Sequence, residues 1–161
     1  MSDYKIETPI NVLVTAMGGG GHGEQILKAL LQDKTGLVRV FGGDANPNCP
    51  QFKLVEKSFV LPLANDPSYM QGVFDICAKN GVKALFDGCE AELQLFSRER
   101  ERIKENGIFL PGNPQNVIDI CMDKVKTAEF LSSVGFEPPN FLKISSKNNL
   151  NKVDFFPAVI K

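Results

Sequence analysis

The chain of 161 residues lacks a charge excess, a long apolar run and a closely spaced cysteine pair, and each absence removes a class of function. Eighteen basic side chains stand against nineteen acidic ones, so no positive surplus exists to neutralise a phosphate backbone, which argues against a general nucleic-acid binder. The apolar runs stop at strand length, far below the roughly 20 residues that cross a bilayer, and no membrane partner is expected. Met1-Ser2-Asp3-Tyr4-Lys5 is not a charged start leading into an apolar core, so no secretory signal is read there and the cytoplasm is the expected compartment. Cys49, Cys77, Cys89 and Cys121 lie 28, 12 and 32 residues apart, and the single histidine, His22, has no cysteine near it in sequence. A metal site draws its ligands from short spacings, so none is expected here. Cys77 and Cys121 fall on apolar helix faces and read as buried reduced thiols, whereas Cys49 and Cys89 read as the more exposed pair. G-x-x-x-x-G-K-[ST] is missing too, which removes a P-loop nucleotide site.

What is present is globular. Hydrophobic residues make up 43% and charged residues 23%, so disorder drops out, and the length suits one domain or one domain and the start of another. Short apolar runs alternate with amphipathic stretches. Residues 10–16 form a nearly unbroken β-branched run, as in a strand covered on both faces. Ile26, Leu27, Leu30 and Leu31 share a helical face, and strands are predicted at 37–41, 58–61, 83–86 and 108–110. Asp66 and Pro67 open a helix with Met70, Val73, Phe74 and Cys77 on its buried stripe, ended by Gly81. One helix is predicted over 90–105, with Leu93, Phe96 and Ile103 inward and the alternating run from Arg98 to Arg102 on a solvated face. This alternation predicts an α/β, Rossmann-like parallel sheet with helices on both faces over residues 1–112.

From Asn113 the rhythm changes. Two helices follow over 113–139, the first with Val117, Ile118 and Cys121 on one side, the second capped by Asp123 and stopped at Gly135. Beyond the Pro138-Pro139 linker, 140–161 carries β-prone segments at 141–144 and 155–161. An apolar terminal strand with no partner is an aggregation hazard, so these residues read as the start of a truncated second domain in a longer protein.

The most informative stretch is Met17-Gly18-Gly19-Gly20-Gly21-His22-Gly23, between the first strand and first helix. Gly18, Gly20 and Gly23 satisfy G-x-G-x-x-G, and Asp44 ends the second strand 21 residues after Gly23. Glycines let backbone N–H groups approach an anion at a helix N-terminus, and Asp44 would stand where a ribose hydroxyl is bound. One reading is therefore an NAD(P)-binding module using Gly18, Gly20, Gly23 and Asp44; a tight turn without a ligand is the bland alternative. Glu90 and Glu92 begin a helix at the carboxyl end of the fourth strand, where they are either acidic residues suited to a helix start or groups on the substrate or cofactor side.

A second reading rests on resemblance. The glycine loop, Gly43-Asp44-Ala45-Asn46-Pro47, Phe59-Val60-Leu61-Pro62, Asp66-Pro67-Ser68-Tyr69, Glu90-Ala91-Glu92-Leu93, Asp123-Lys124-Val125-Lys126-Thr127, Gly135-Phe136-Glu137-Pro138-Pro139 and Phe156-Pro157-Ala158-Val159-Ile160-Lys161 occur in the order found in the N-terminal part of ATP-grasp enzymes. The sequence most resembles proteins similar to the carbamoyl phosphate synthase large subunit. The resemblance implies a ligase that uses Mg-ATP to turn a carboxylate, or bicarbonate, into an acyl phosphate for attack by an amine or other nucleophile. It assigns Lys124 and Lys161 to the ATP phosphates, and puts Gly18, Gly19, Gly20, Gly21, His22 and Gly23 on the substrate side as an anion-binding loop. Lysine suits that duty as a compact cation offsetting charge on a moving phosphate. ATP and Mg2+ are the implied cofactors, with the magnesium ligands expected beyond Lys161, so this chain by itself is not expected to catalyse. The implied partners are small-molecule carboxylate and amine substrates and, because the family's parent domains often pair, a second copy of the chain. A non-catalytic interaction protein on the same scaffold is the third possibility.

Overall fold

The computed structural model describes residues 8–159. The chain divides into two compact units, Met1–Gln115 and Asn116–Lys161. The first is built on four parallel strands, β1 (Ile10–Val14), β2 (Val38–Asp44), β3 (Lys57–Val60) and β4 (Val82–Phe86), in the order β3-β2-β1-β4. Crossovers run through α1 (His22–Leu30), a short 3-10 turn at Pro50–Leu54, and α2 (Tyr69–Asn80). Two short helices, α3 (Glu90–Arg98) and α4 (Arg100–Glu105), follow β4.

The central strand explains the layering. Side chains alternate across a strand, so Leu13 enters one core with Phe41, Leu85, Val73, Phe96 and Ile103. Val12 and Val14 enter the opposite core with Val40, Ala84, Met17 and Leu27. Both faces of the sheet are covered by helices, as the apolar run of the first strand requires. The stripe of α2 is buried as expected, with Tyr69 added at its start. Gly81 ends that helix in the left-handed region at φ 60°.

Several sequence expectations need correction. Helix α2 begins at Tyr69 behind Ser68; Asp66 instead accepts hydrogen bonds from the Ser68 N–H and hydroxyl, closing a turn before the helix. The helix expected over 90–105 breaks at Glu99, whose φ of −88° and ψ of 7° leave the helical region. The basic run is not wholly solvated: Arg100 is half-buried and donates to the carbonyls of Leu110 (3.1 Å) and Asn113 (2.9 Å), and the Arg102 guanidinium lies 4.7 Å from the centre of the Phe74 ring. The fifth strand shrinks to a single parallel bridge between Ala84 and Phe109. Leu31 is exposed past the end of α1. The thiols also redistribute, with Cys49 and Cys77 buried, Cys89 half-buried and Cys121 exposed.

In the second unit, α5 (Gln115–Cys121) and α6 (Lys124–Ser133) are the two expected helices. The Asp123 carboxylate accepts from the N–H groups of Val125 (2.9 Å) and Lys126 (3.1 Å), capping α6 as its position predicted. The β-prone segments form no strand among the described residues, 141–144 and 155–159 alike. A strand exists only where a neighbour takes up its N–H and C=O groups, and no ladder is made there among the described residues. Ile160 and Lys161 lie outside the described residues.

Two glycines fix how closely the carboxyl ends of β1 and β4 approach. The Gly23 N–H donates to the Gly88 carbonyl at 3.3 Å. A Cβ on Gly88 would overlap the carbonyls of Thr15 and Ala16, and one on Gly23 would lie 2.8 Å from the Gly88 Cα. These obstacles are backbone atoms and cannot swing aside. Gly88→Ala is therefore expected to cost about 2–3 kcal/mol through overpacking, read as a lowered urea midpoint. Wild-type stability in that variant would show that the two loops are not in contact.

Candidate functional site

The strand order reverses between β1 and β4, since β2 and β3 lie on one side of β1 and β4 on the other. In open α/β sheets the crevice outside the carboxyl ends of the strands at such a switch point is where ligands bind. A cavity of about 360 Å³ opens there. The loop after β1 contributes Ala16, Gly18, Gly19 and Gly21 to its wall. Asp44 at the end of β2, followed by Asn46, Cys49 and Pro50, forms the second wall. Gly88 and Cys89, after β4, form the third.

Gly18 and Asp44 meet directly, because the Gly18 N–H donates to Asp44 Oδ2 at 2.8 Å. The other carboxylate oxygen, Oδ1, accepts from the Asn46 N–H at 2.8 Å. Each oxygen thus has one backbone donor. A dinucleotide site would instead bring the glycine-loop backbone up to a pyrophosphate and leave the carboxylate to a ribose hydroxyl. Gly20 and Gly23 are not in the cavity wall; Gly23 is buried beneath it at the contact with Gly88. His22 is exposed as the first residue of α1. Glu24, one turn into that helix, is paired with Lys28 at 2.8 Å; Lys28 and, to a lesser extent, the Gly20 amide hold it below the usual carboxylate range.

Glu90 and Glu92 part company. Glu90 is exposed at the start of α3, whereas Glu92 is only 4% exposed. Its carboxylate accepts from the Thr15 hydroxyl (2.8 Å), the Gly88 N–H (2.9 Å) and the Tyr69 hydroxyl. Thr15 is the last residue before the glycine loop turns, Tyr69 starts α2, and Gly88 belongs to the loop after β4. Glu92 therefore braces the site from behind and is not part of the cavity wall. Burial pushes its carboxyl up, against the three donors that favour the charged form. Asp87 is raised by burial as well, and the neighbouring His22 works the other way. Burial likewise raises the thiols of Cys49 and Cys89, so neither is a thiolate at neutral pH, and Cys77 is pushed up to about 12.

Lys124 is exposed at the first position of α6, in the second unit; Lys161 lies outside the described residues. No group of three His, Cys, Asp or Glu side chains among the described residues is arranged to hold a metal ion. None of the described helices is long and apolar enough to cross a membrane. The residues that sequence reasoning missed are Thr15, Tyr69, Cys49, Cys89 and Gly88. Only Gly88 carries a local signal, a glycine directly after an apolar strand that mirrors the one after β1.

Solved structures share this fold. An L-amino acid ligase from Bacillus licheniformis matches with a TM-score of 0.63 and 19% identity, over 92% of this chain and 36% of its own. N5-carboxyaminoimidazole synthetase from Staphylococcus aureus, complexed with ADP, matches with a TM-score of 0.60 and 16% identity, over 94% and 36%. The biotin carboxylase domain dimer of 2-oxoglutarate carboxylase from Hydrogenobacter thermophilus, in complex with MgADP, ADP and bicarbonate, matches with a TM-score of 0.56 and 17% identity, over 80% and 28%. The fold is thus the one expected from the resemblance to the N-terminal region of ATP-grasp enzymes, and the chain spans about a third of the length of these neighbours. Residues 12–110 place it more narrowly: the chain belongs to the PylC-like, N-terminal domain family. No curated protein matches it in sequence.

The Glu92 brace has a pH signature. Because its folded value is raised, its contribution to stability is full below the ordinary carboxylate range, about 4.3 in an unfolded chain, and is lost as pH rises through the folded value. The stability difference between wild type and Glu92→Gln is expected to move in favour of the glutamine variant as pH rises from 4 to 8, on the order of several units of pH being enough to see it. Glu92→Ala, which strands three donors, should cost about 3 kcal/mol by chemical denaturation. A wild-type-to-glutamine difference that stays flat across this pH range would show that burial does not raise the Glu92 carboxyl.

Proposed function

We propose that this chain is the N-terminal part of an ATP-dependent ligase that activates a carboxylate, or bicarbonate, as an acyl phosphate for attack by an amine or other nucleophile. The observation that carries the reading is the cavity at the carboxyl ends of β1 and β4, framed by two glycine loops in a chain of this family. The names of the neighbours supply the chemistry in outline, an amino acid ligase and two carboxylating enzymes, two of them with bound adenine nucleotide. Within the ligases the carboxylate-amine type, similar to carbamoyl phosphate synthase, is the finer form of the proposal.

The loop from Gly18 to Gly23 serves the substrate end in this reading, and Lys124 and Lys161 serve the ATP phosphates. Lys124 suits the duty chemically: it is exposed, and the Asp123 cap fixes the turn that carries it. Residues 1–112 form the domain before the ATP-grasp unit, 113–139 a helical connector and 140–161 the beginning of the ATP-grasp domain. Magnesium, bound by carboxylates together with substrate phosphates, would neutralise phosphate charge; the described residues offer no cluster that fits it. Catalysis belongs to the longer protein and not to this chain alone. Its partners are small-molecule carboxylate and amine substrates and a second copy, as in the dimer of one neighbour. Four free cysteines accord with a cytoplasmic setting.

The test is ATP turnover by the protein that contains this chain, assayed with paired carboxylates and amines for release of ADP and phosphate. Substrate-dependent turnover is expected, with Lys124→Ala lowering it by roughly 10- to 100-fold while leaving the thermal midpoint unchanged. Micromolar binding of a reduced nicotinamide cofactor with no turnover would overturn the ligase reading in favour of a dinucleotide-binding module.

A further inference from the structure

Pro111-Gly112-Asn113-Pro114 carries the chain out of the first unit, whose last residue is Gln115. None of these four residues belongs to a helix or strand. Proline has no backbone N–H, so the peptide units Leu110–Pro111 and Asn113–Pro114 can be held only through their carbonyls. Between them, the N–H groups of Gly112 and Asn113 make no hydrogen bond among the described residues. Gly112 turns the segment at φ 125°, in the region that favours glycine. Such a stretch has no backbone ladder of its own to keep it in one direction.

Arg100 supplies the missing restraint. Its Nη1 donates to the Leu110 carbonyl at 3.1 Å and its Nη2 to the Asn113 carbonyl at 2.9 Å, one on each side of the Gly112 turn. These carbonyls belong to the two peptide units that lack an N–H. The guanidinium is a rigid plane with donors at fixed angles, so holding both carbonyls fixes their separation as well. Arg100 makes no ion pair among the described residues, where Arg102 has Glu99. Its Nε is buried without a partner among those residues. A buried donor left unmade is costly, so the side chain sits where the two carbonyls require and not where its own hydrogen bonding would be complete.

We propose that Arg100 is a positioning residue, a clamp that sets where the chain becomes free to turn: the hinge out of the first unit begins after Asn113 and not at Pro111. Helix α4, which carries Arg100, is seated in the core by Ile103, so the clamp ties the exit to the packing beneath the sheet. The clamp does not rest on the ligase reading. Where that reading holds, the chain that carries Lys124 starts from a point that Arg100 fixes.

The experiment measures backbone N–H order parameters by NMR relaxation in this 161-residue chain and in its Arg100→Lys and Arg100→Ala variants. In the wild type, Gly112 and Asn113 are expected near the rigid value of about 0.85 although neither amide is hydrogen-bonded. Both variants should bring Asn113 below about 0.6, while Leu13 and Leu85 in the core keep their wild-type values. Lysine keeps the charge but carries its donors on one nitrogen and does not reproduce the fork; it is the milder change and decides the matter if the alanine variant does not fold. A general loss of stability would lower the unfolding midpoint and leave native-state order at Asn113 unchanged, so the local readout separates a clamp from a merely stabilising contact. Flexible Gly112 and Asn113 in the wild type, or wild-type order at Asn113 in Arg100→Lys, would overturn the proposal. No nucleotide takes part in this measurement, so an ordered exit without ATP turnover would sink the ligase and leave the clamp, and the opposite pair of results would do the reverse.

Discussion

A carboxylate buried without a cation is tolerable only where fixed donors replace the water it has lost, and Glu92 meets that condition with groups drawn from three separate segments. The Thr15 hydroxyl comes from the end of β1, the Tyr69 hydroxyl from the start of α2, and the Gly88 N–H from the loop after β4. Two of the three cavity walls start beside those donors. Ala16 and the glycine loop follow Thr15, and Cys89 follows Gly88. One side chain thereby ties the two loops together from behind, beside the Gly23–Gly88 contact that sets how closely they approach. Packing alone would leave the loops less defined, since apolar contacts carry little direction.

Three carboxylates around this end of the sheet illustrate what environment does to a single functional group. Glu92 is enclosed and held by neutral donors, and burial raises it. Glu24 stands on the surface with Lys28, which lowers it. Asp44 is oriented by backbone amides, and no positive side chain among the described residues is paired with it. Glu92 spends its carboxylate on internal donors behind the site, whereas Asp44 is the carboxylate in the cavity wall.

The sequence makes the architecture readable where burial is two-sided. The run from Ile10 to Val14 is apolar on both faces because Leu13 enters one core and Val12 and Val14 the other, and the stripe Met70, Val73, Phe74 and Cys77 marks α2 at its helical period. Where β character comes from composition alone, it misleads. Ile108, Phe109 and Leu110 amount to one bridge, and Phe141 to Ile144 form no strand, because a strand is a property of a pair of segments and local propensity sees only one. Half of the site is legible for a related reason. Glycines and Asp44 announce themselves by spacing, since one loop and the next strand end define them. Cys49 and Cys89, or Thr15, Tyr69 and Glu92, are brought together only by the crossover that sets β4 beside β1, and no local pattern records that event.

The sign of the cavity wall also constrains where nucleotide phosphates belong. Two like unit charges 4 Å apart repel by roughly 4 kcal/mol at an effective dielectric constant near 20, and a triphosphate carries several such charges. The N-terminal dipole of α1, about half a positive charge, would offset part of this, but Glu24 in its first turn and Asp44 beside its glycine loop already draw on it. A cavity whose wall, among the described residues, carries a carboxylate and no lysine or arginine is a poor triphosphate site. In the proposed ligase this cavity is therefore not the place for the ATP phosphates. The same wall gives a physical reason for a glycine loop that looks like a dinucleotide fingerprint in sequence to serve a different ligand in three dimensions: the fingerprint counts glycines, and the ligand responds to what their amides are already bound to.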